Sequence, residues 1–124
     1  MIIYNSNLQV FLLQGKNMSY AMYVGESGFL QHLYFGSKIS ESDLAFLAEY
    51  HGKNVSAKKS DFNLDQAHEF TKTECGFYAR GDYREPTVII RRADGSSMTR
   101  LRYAEYFISD GAPKLKGMPC AHTG

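Results

Sequence analysis

The sequence predicts a mainly all-β protein of antiparallel strands in two packed layers, with one short helix or helical turn in the middle. Three observations carry this. Asp94-Gly95 sits between two β-type runs, 87–92 and 98–108, and Asp-Gly suits a two-residue hairpin turn because both central positions of type I′ need φ > 0. Earlier runs at 8–14, 18–24 and 29–35 are apolar or alternate with period two, and Gly-containing clusters close them. Nine Tyr and eight Phe among 124 residues favour pleated, half-buried surface over helix.

Taken in order, residues 8–14 form a compact apolar run that Gly15-Lys16-Asn17 turns back. In 18–24, Met18, Tyr20, Met22 and Val24 alternate with Ser19, Ala21 and Tyr23, and Gly25-Glu26-Ser27-Gly28 closes the run. The strand 29–35 is expected to place Phe29, Leu33 and Phe35 on one side and Leu30, His32 and Tyr34 on the other, ending at Gly36. Three consecutive strands with short turns make a meander, which needs a second layer over its apolar side. The later hairpin is the natural candidate for that layer.

The middle changes character. Ser40-Glu41-Ser42-Asp43 ahead of Leu44-Ala45-Phe46-Leu47-Ala48-Glu49-Tyr50 reads as a helix start, with small polar caps and acids in the first turn. Two or three turns are expected, followed by an exposed loop over 51–60. A short extended piece at 61–65 and a connection over 66–79 follow, with Phe70, Phe77 and Tyr78 as anchors. Pro86 has no backbone donor and suits the first position of a strand. With a two-residue turn, Ala93 faces Ser96, Ile90 faces Thr99 and Val88 faces Leu101. Val88, Ile90, Leu101 and Tyr103 then share one face, and Arg91, Arg100 and Arg102 lie on the other. Residues 109–113 form a turn, and 114–124 trail away.

Composition bounds the function. The length fits one domain with a single core. A formal charge of +1, from 14 basic and 13 acidic residues, supplies no field to attract nucleic acid or an anionic membrane. Met1-Ile2-Ile3-Tyr4-Asn5 has no basic n-region, and no run approaches the roughly 20 apolar residues of a spanning helix. The expectations are no nucleic-acid partner, no membrane partner and a cytoplasmic location. Cys75 and Cys120 show no CxxC spacing, and free thiols are expected.

Few residues point to chemistry. His32, His51, His68 and His122 stand apart without HExxH or Cys/His spacing, so no metal site and no cofactor are expected. His32 reads as a half-buried sheet residue. Asp82 and Arg84, two apart before Pro86, read as a turn with an ion pair, and Lys58 and Lys59 as a solvated loop. Asp61, Asp65, Asp82 and Glu85 are candidates for a carboxylate pair of the glycosidase kind, which needs a separation of about 5 to 9 Å. Thirteen acids in one small domain make such pairs common by chance.

The ordered motifs Phe11-x-Leu13, Ser19-Tyr20-x-Met22, Gly28-x-Leu30-x-His32-Leu33-Tyr34-Phe35-Gly36, Phe62-x-Leu64-Asp65, Gly81-Asp82-Tyr83-Arg84-x-Pro86, Asp94-Gly95-Ser96, Leu101-x-Tyr103 and Lys114-Leu115-x-Gly117-Met118-Pro119 span almost the whole chain. Together they resemble the N-terminal domain of glycoside hydrolase family 36 α-galactosidases (melibiases). The resemblance implies a large twisted antiparallel β-sandwich, a supersandwich, over residues 1–124. It also implies a parent enzyme that hydrolyses terminal α-galactosides of the melibiose and raffinose type with retention. The catalytic aspartates of such enzymes lie on a following (β/α)8 barrel, which needs about 250 residues. No catalytic residue is therefore assigned to this chain, and it is expected to be inactive alone.

The resemblance further implies a downstream barrel as partner and a homo-oligomer, a tetramer, in which a loop of this domain closes a neighbour's galactoside pocket. That loop corresponds to 43–59, where the family often has an arginine and an aspartate followed by an aromatic residue. Here Glu49 stands nearest to the acid, and Glu49 and Tyr50 are the implied substrate contacts across the subunit interface. The plainer alternative is a capped amphipathic turn packing Phe46 and Leu47 on the sandwich. Two other classes stay in view: a free-standing carbohydrate-binding β-sandwich, in which exposed Tyr stack on pyranose faces, and a pure oligomerisation domain. The lack of Trp weighs against the first.

Overall fold

A computed structural model describes residues 1–25, 28–53, 72–78, 84–111 and 117, with the backbone alone over 49–53. Expectations for 54–71, 79–83 and 118–124, including Asp61, Asp65, Asp82, Lys58, Lys59, His68, Phe70, Cys120 and His122, fall outside the described residues.

Four strands, β1 (Ile2–Asn5), β2 (Val10–Gln14), β3 (Met18–Val24) and β4 (Leu30–Ser37), form one antiparallel sheet in the order β1-β2-β3-β4. The predicted meander is present, with β1 added at its edge. The predicted 8–14 strand begins only at Val10, because Gln9 takes a φ of 52° in the turn. Leu8 N–H donates to Asn5 Oδ1 and closes that turn.

Register sets two faces. One row runs Ile3, Leu12, Ala21, Tyr34, and the row behind it on the opposite face runs Tyr4, Phe11, Met22, His32. Between Ala21 and Met22 the pairing skips Leu33, a β-bulge. The extra residue shifts the alternation. Leu33 is buried with the Ala21 face, whereas Phe35 pairs with Tyr20 and is 64% exposed. Phe35 therefore does not share a side with Leu33 as the sequence pattern predicts.

The first face is covered by α1 (Asp43–Lys53). Val10, Leu12, Ala21, Leu33 and Leu44 form its core, with Ile39 and Leu47 packed against them. Ile39 is pinned at both ends: its N–H donates to Ser19 Oγ at 3.1 Å, and its carbonyl accepts from Gln14 Nε2 at 2.7 Å. Ser40 donates both its N–H and its hydroxyl to the Asp43 carboxylate, a reach-back of the capping-box kind that holds the carboxyl below its ordinary range. The helix runs on to Lys53, so His51, Gly52 and Lys53 belong to it rather than to a loop. Leu47 packs inward as expected, but Phe46 is exposed.

The second face carries the predicted second layer. Tyr103 and Tyr106 lie on Tyr4 and Phe11, with Tyr106 edge-on to Phe11 at 5.1 Å and 4.6 Å from Tyr4. Tyr103 N–H donates to Gly28 O, and Thr99 N–H to Tyr78 O. Exposure alternates from buried Thr99 through half-buried Leu101 and Tyr103, while Arg100 and Arg102 face out. Thr87, just after Pro86, donates to Gly76 O.

The hairpin turn differs from the one expected. Gly95 N–H closes on Arg92 O, Arg92 N–H donates to Ser96 O, and only Gly95, not Asp94, has positive φ. This is a three-residue loop with a left-handed glycine, not type I′. Asp94 stays at negative φ because its carboxylate accepts the Ser96 N–H at 2.9 Å. Carried outward, the Arg92–Ser96 pair sets Ile90 beside Met98 rather than Thr99, and a one-residue slip exchanges faces. Val88, Ile90 and Met98 are all exposed, whereas Leu101 and Tyr103 turn inward. Among the described residues 84–111, no strand is formed.

Candidate functional site

A polar cluster lies on the second face, at the outer edge of β4. Residues 72–74 add to that edge: His32 N–H donates to Lys72 O at 2.7 Å, Glu74 N–H donates to Leu30 O at 2.9 Å, and Gln31 bridges Thr73. This segment, joined to the edge by a single bridge, brings the Glu74 carboxylate to His32 Nδ1 at 3.2 Å. Tyr20, on the neighbouring strand, sets its hydroxyl 3.4 Å from the same nitrogen and its ring edge-on to the imidazole. Burial pushes the Tyr20 hydroxyl up to about 12, and hydrogen bonding to Glu74 and the Glu74 charge add to this. The hydroxyl thus stays a donor at neutral pH.

The cluster is half-exposed, with side-chain exposures of 30% for His32 and 20% for Glu74, and Phe35 stands beside Tyr20 with ring centroids 6.1 Å apart. One carboxylate, one imidazole and a protonated phenol can fasten a strand or hydrogen-bond a hydroxylated ligand. A glycosidase pair needs a second carboxylate at about 5 to 9 Å. Of the four carboxylates singled out from sequence, only Glu85 lies among the described residues, and it is exposed. Among the described residues no group of three His, Cys, Asp or Glu is placed to hold a metal. Cys75 is an exposed free thiol.

Glu49 and Tyr50 lie on α1, with their backbone in the helix. At 3.6 residues per turn, positions 49 and 50 fall on either side of position 46, on the flank away from buried Leu44. The structure brings neither position to the His32–Glu74 cluster, which lies across the sheet from α1. Sequence reading placed His32 on a strand but did not find its partner. Nothing local marks Glu74, because the pair forms only when 72–74 joins β4.

Comparison with known proteins bears on this arrangement. A family model described as the glycosyl hydrolase family 36 N-terminal domain matches residues 28–124. The chain is 30% identical over 125 residues to alpha-galactosidase Mel36A of Lactobacillus acidophilus, covering 99% of this chain and 17% of that protein. It is 30% identical over 126 residues to alpha-galactosidase AgaA of Geobacillus stearothermophilus, covering 98% and 17%. Among solved structures, the galactosidase domain of the alpha-galactosidase-sucrose kinase AgaSK superposes with a TM-score of 0.72 at 28% identity, over 96% of this chain and 17% of that one. The GH36 alpha-galactosidase AgaB of Geobacillus stearothermophilus gives 0.71 at 27% identity, over 96% and 16%. The chain thus spans about a sixth of the length of these relatives. No described helix is long and apolar enough to cross a membrane. The matched residues take in β4, the His32–Glu74 cluster, α1 and the hairpin, and the chain belongs to the glycosyl hydrolase family 36 N-terminal domain family.

Proposed function

We propose that this chain is the non-catalytic N-terminal domain of a retaining α-galactosidase acting on terminal α-galactosides of the melibiose and raffinose type. In this reading a downstream (β/α)8 barrel supplies both catalytic aspartates, and residues 1–124 support that barrel and the assembly of a homo-oligomer. The supporting observation is the pairing of a near-complete match to α-galactosidases with a span of only about 17% of their length.

Helix α1 lends Glu49 and Tyr50 to a galactoside held by a neighbouring subunit. Positions 49 and 50 fall on the flank of α1 opposite the one that Leu44 anchors, which supports this assignment. Kinetics of Glu49→Ala in the full-length enzyme test it. A raised KM for melibiose and raffinose is expected, and unchanged KM and kcat on both sugars would remove the contact.

A second reading, a free-standing carbohydrate-binding module, draws on one observation: Phe35 stands 64% exposed beside Tyr20, whose hydroxyl lies 3.4 Å from His32 Nδ1. Galactose and raffinose titrations followed by aromatic NMR resonances separate the two. A binding module shifts Phe35 and Tyr20 at millimolar sugar, whereas a scaffold does not.

A further inference from the structure

Residues 72–78 touch both layers of the fold within a short stretch of chain. At one end they lie on the sheet: Lys72 O accepts the His32 N–H at 2.7 Å, Glu74 N–H donates to Leu30 O at 2.9 Å, and the Glu74 carboxylate meets His32 Nδ1 at 3.2 Å. At the other end they hold the hairpin: Gly76 O accepts the Thr87 N–H and Tyr78 O accepts the Thr99 N–H, each at 2.9 Å. Gly76 N–H returns a bond to Thr87 Oγ1 at 3.2 Å. The segment is therefore a strap between β4 and the hairpin as well as an addition to the sheet edge.

The grips at its two ends are not independent. Phe77 is buried, and its ring lies 5.3 Å from that of Phe29, the residue next to the Leu30 that holds Glu74. Arg102, from the hairpin, stands over the same Phe29 ring at 6.0 Å. Sheet, strap and hairpin thus meet at residues 29 and 30. Successive ties along the strap are two residues apart, a span of at most about 7 Å, so little slack separates one tie from the next. Letting go of Leu30 draws Phe77 off Phe29, and with it the carbonyls of Gly76 and Tyr78 that Thr87 and Thr99 use. The weak end is the one at Glu74: Phe77 is buried, whereas the His32–Glu74 clasp is half-exposed, and a solvated pair holds weakly. A carboxylate only accepts, so His32 holds it by a proton on Nδ1.

We propose that residues 72–78 form a strap that opens as one unit together with the Thr87 and Thr99 ties, and that the His32–Glu74 clasp sets how often it opens. Opening releases the hairpin from the edge of β4 while β1, β2, β3 and α1 stay folded. The device rests on these contacts and not on the proposed activity.

The test is hydrogen exchange on the full-length protein at low urea, resolved to single amides by fragmentation mass spectrometry. Amides of His32, Glu74, Thr87 and Thr99 are expected to share one opening with one urea dependence. Once intrinsic rates are allowed for, they exchange at least about tenfold faster than the amides of β2. Glu74→Ala is expected to speed exchange at positions 32, 87 and 99 by one common factor of about two to five. His32→Asn, whose side-chain amide offers an N–H near the place of Nδ1–H, is expected to stay within about twofold of the parent. Separate urea dependences at 32, 87 and 99, exchange of Thr87 and Thr99 in step with β2, or a Glu74→Ala effect confined to 32 and 74 would each overturn the inference. So would a His32→Asn protein loosened as much as Glu74→Ala, since the proton on Nδ1 would then not be the hold.

Discussion

His32 Nδ1 lies 3.2 Å from Glu74 Oε1 across 42 residues of sequence, and the pair fastens residues 72–74 to the edge of β4. Two backbone hydrogen bonds align the segment, and the side-chain pair locks its register. Because both groups are partly solvated, the pair is worth only about 0.5–1 kcal/mol. Glu74→Ala is expected to lower the urea-unfolding free energy by about that amount and to speed amide exchange at His32 and Glu74. A loss well above 2 kcal/mol would mean that the pair does more than fasten an edge.

Tyr20 offers a pH signature. Its folded-state pKa is raised from 10.0 to about 12, so the folded protein holds this proton more tightly than the unfolded chain does. The associated stability is fully present below pH 10 and is lost as pH rises from there toward about 12. Tyr23 and Tyr103 are raised as well, chiefly by burial, so the tyrosinate absorbance titration is compared between the parent protein and Glu74→Gln to pick out the Tyr20 transition. In Glu74→Gln that transition moves down but does not return to 10.0, since burial is the larger cause. A transition that Glu74→Gln leaves unmoved would exclude Glu74 as a contributor.

The join between sheet and helix rests on Ser19 and Leu44, both fully buried. Ser19→Ala leaves the Ile39 N–H without its acceptor, a cost of about 1–3 kcal/mol. Leu44→Ala opens a cavity between α1 and the sheet, a cost of about 2–5 kcal/mol. Equilibrium unfolding checks both, and a neutral Leu44→Ala would mean that α1 does not pack as described.

Gly95 has a φ of 80°, and a Cβ built there meets nothing within 4 Å. Any penalty for a side chain is then conformational. Gly95→Ala is expected to cost about 1–2 kcal/mol, and Gly95→Asn less, because Asn tolerates the left-handed region. Equal costs for the two would argue against a left-handed residue at this position.

Much of the fold is legible in the sequence, for reasons that particular residues show. β2, β3 and β4 announce themselves through alternation and the glycines that end them, and α1 through Ser40 and Asp43. The bulge at Leu33 is not legible, because an inserted residue leaves no local mark. It alone sends Phe35 to the other face. The hairpin was legible as a hairpin but not in its register, since Asp94-Gly95 serves two turn types and the Asp94–Ser96 hydrogen bond selects between them. β1 is short and gains its strand character from pairing with β2. The His32–Glu74 contact depends on an edge that forms only in the folded chain, and the proposed sugar contacts at Glu49 and Tyr50 came from family resemblance rather than from any local pattern.

We propose above that residues 1–124 are the scaffold end of a larger α-galactosidase. The intact mass of the natural protein in its source cells tests it most directly. A mass several times the 14.0 kDa of this chain is predicted. A mass near 14.0 kDa would mean that no catalytic barrel accompanies these residues, and would bring the sugar-binding module to the front.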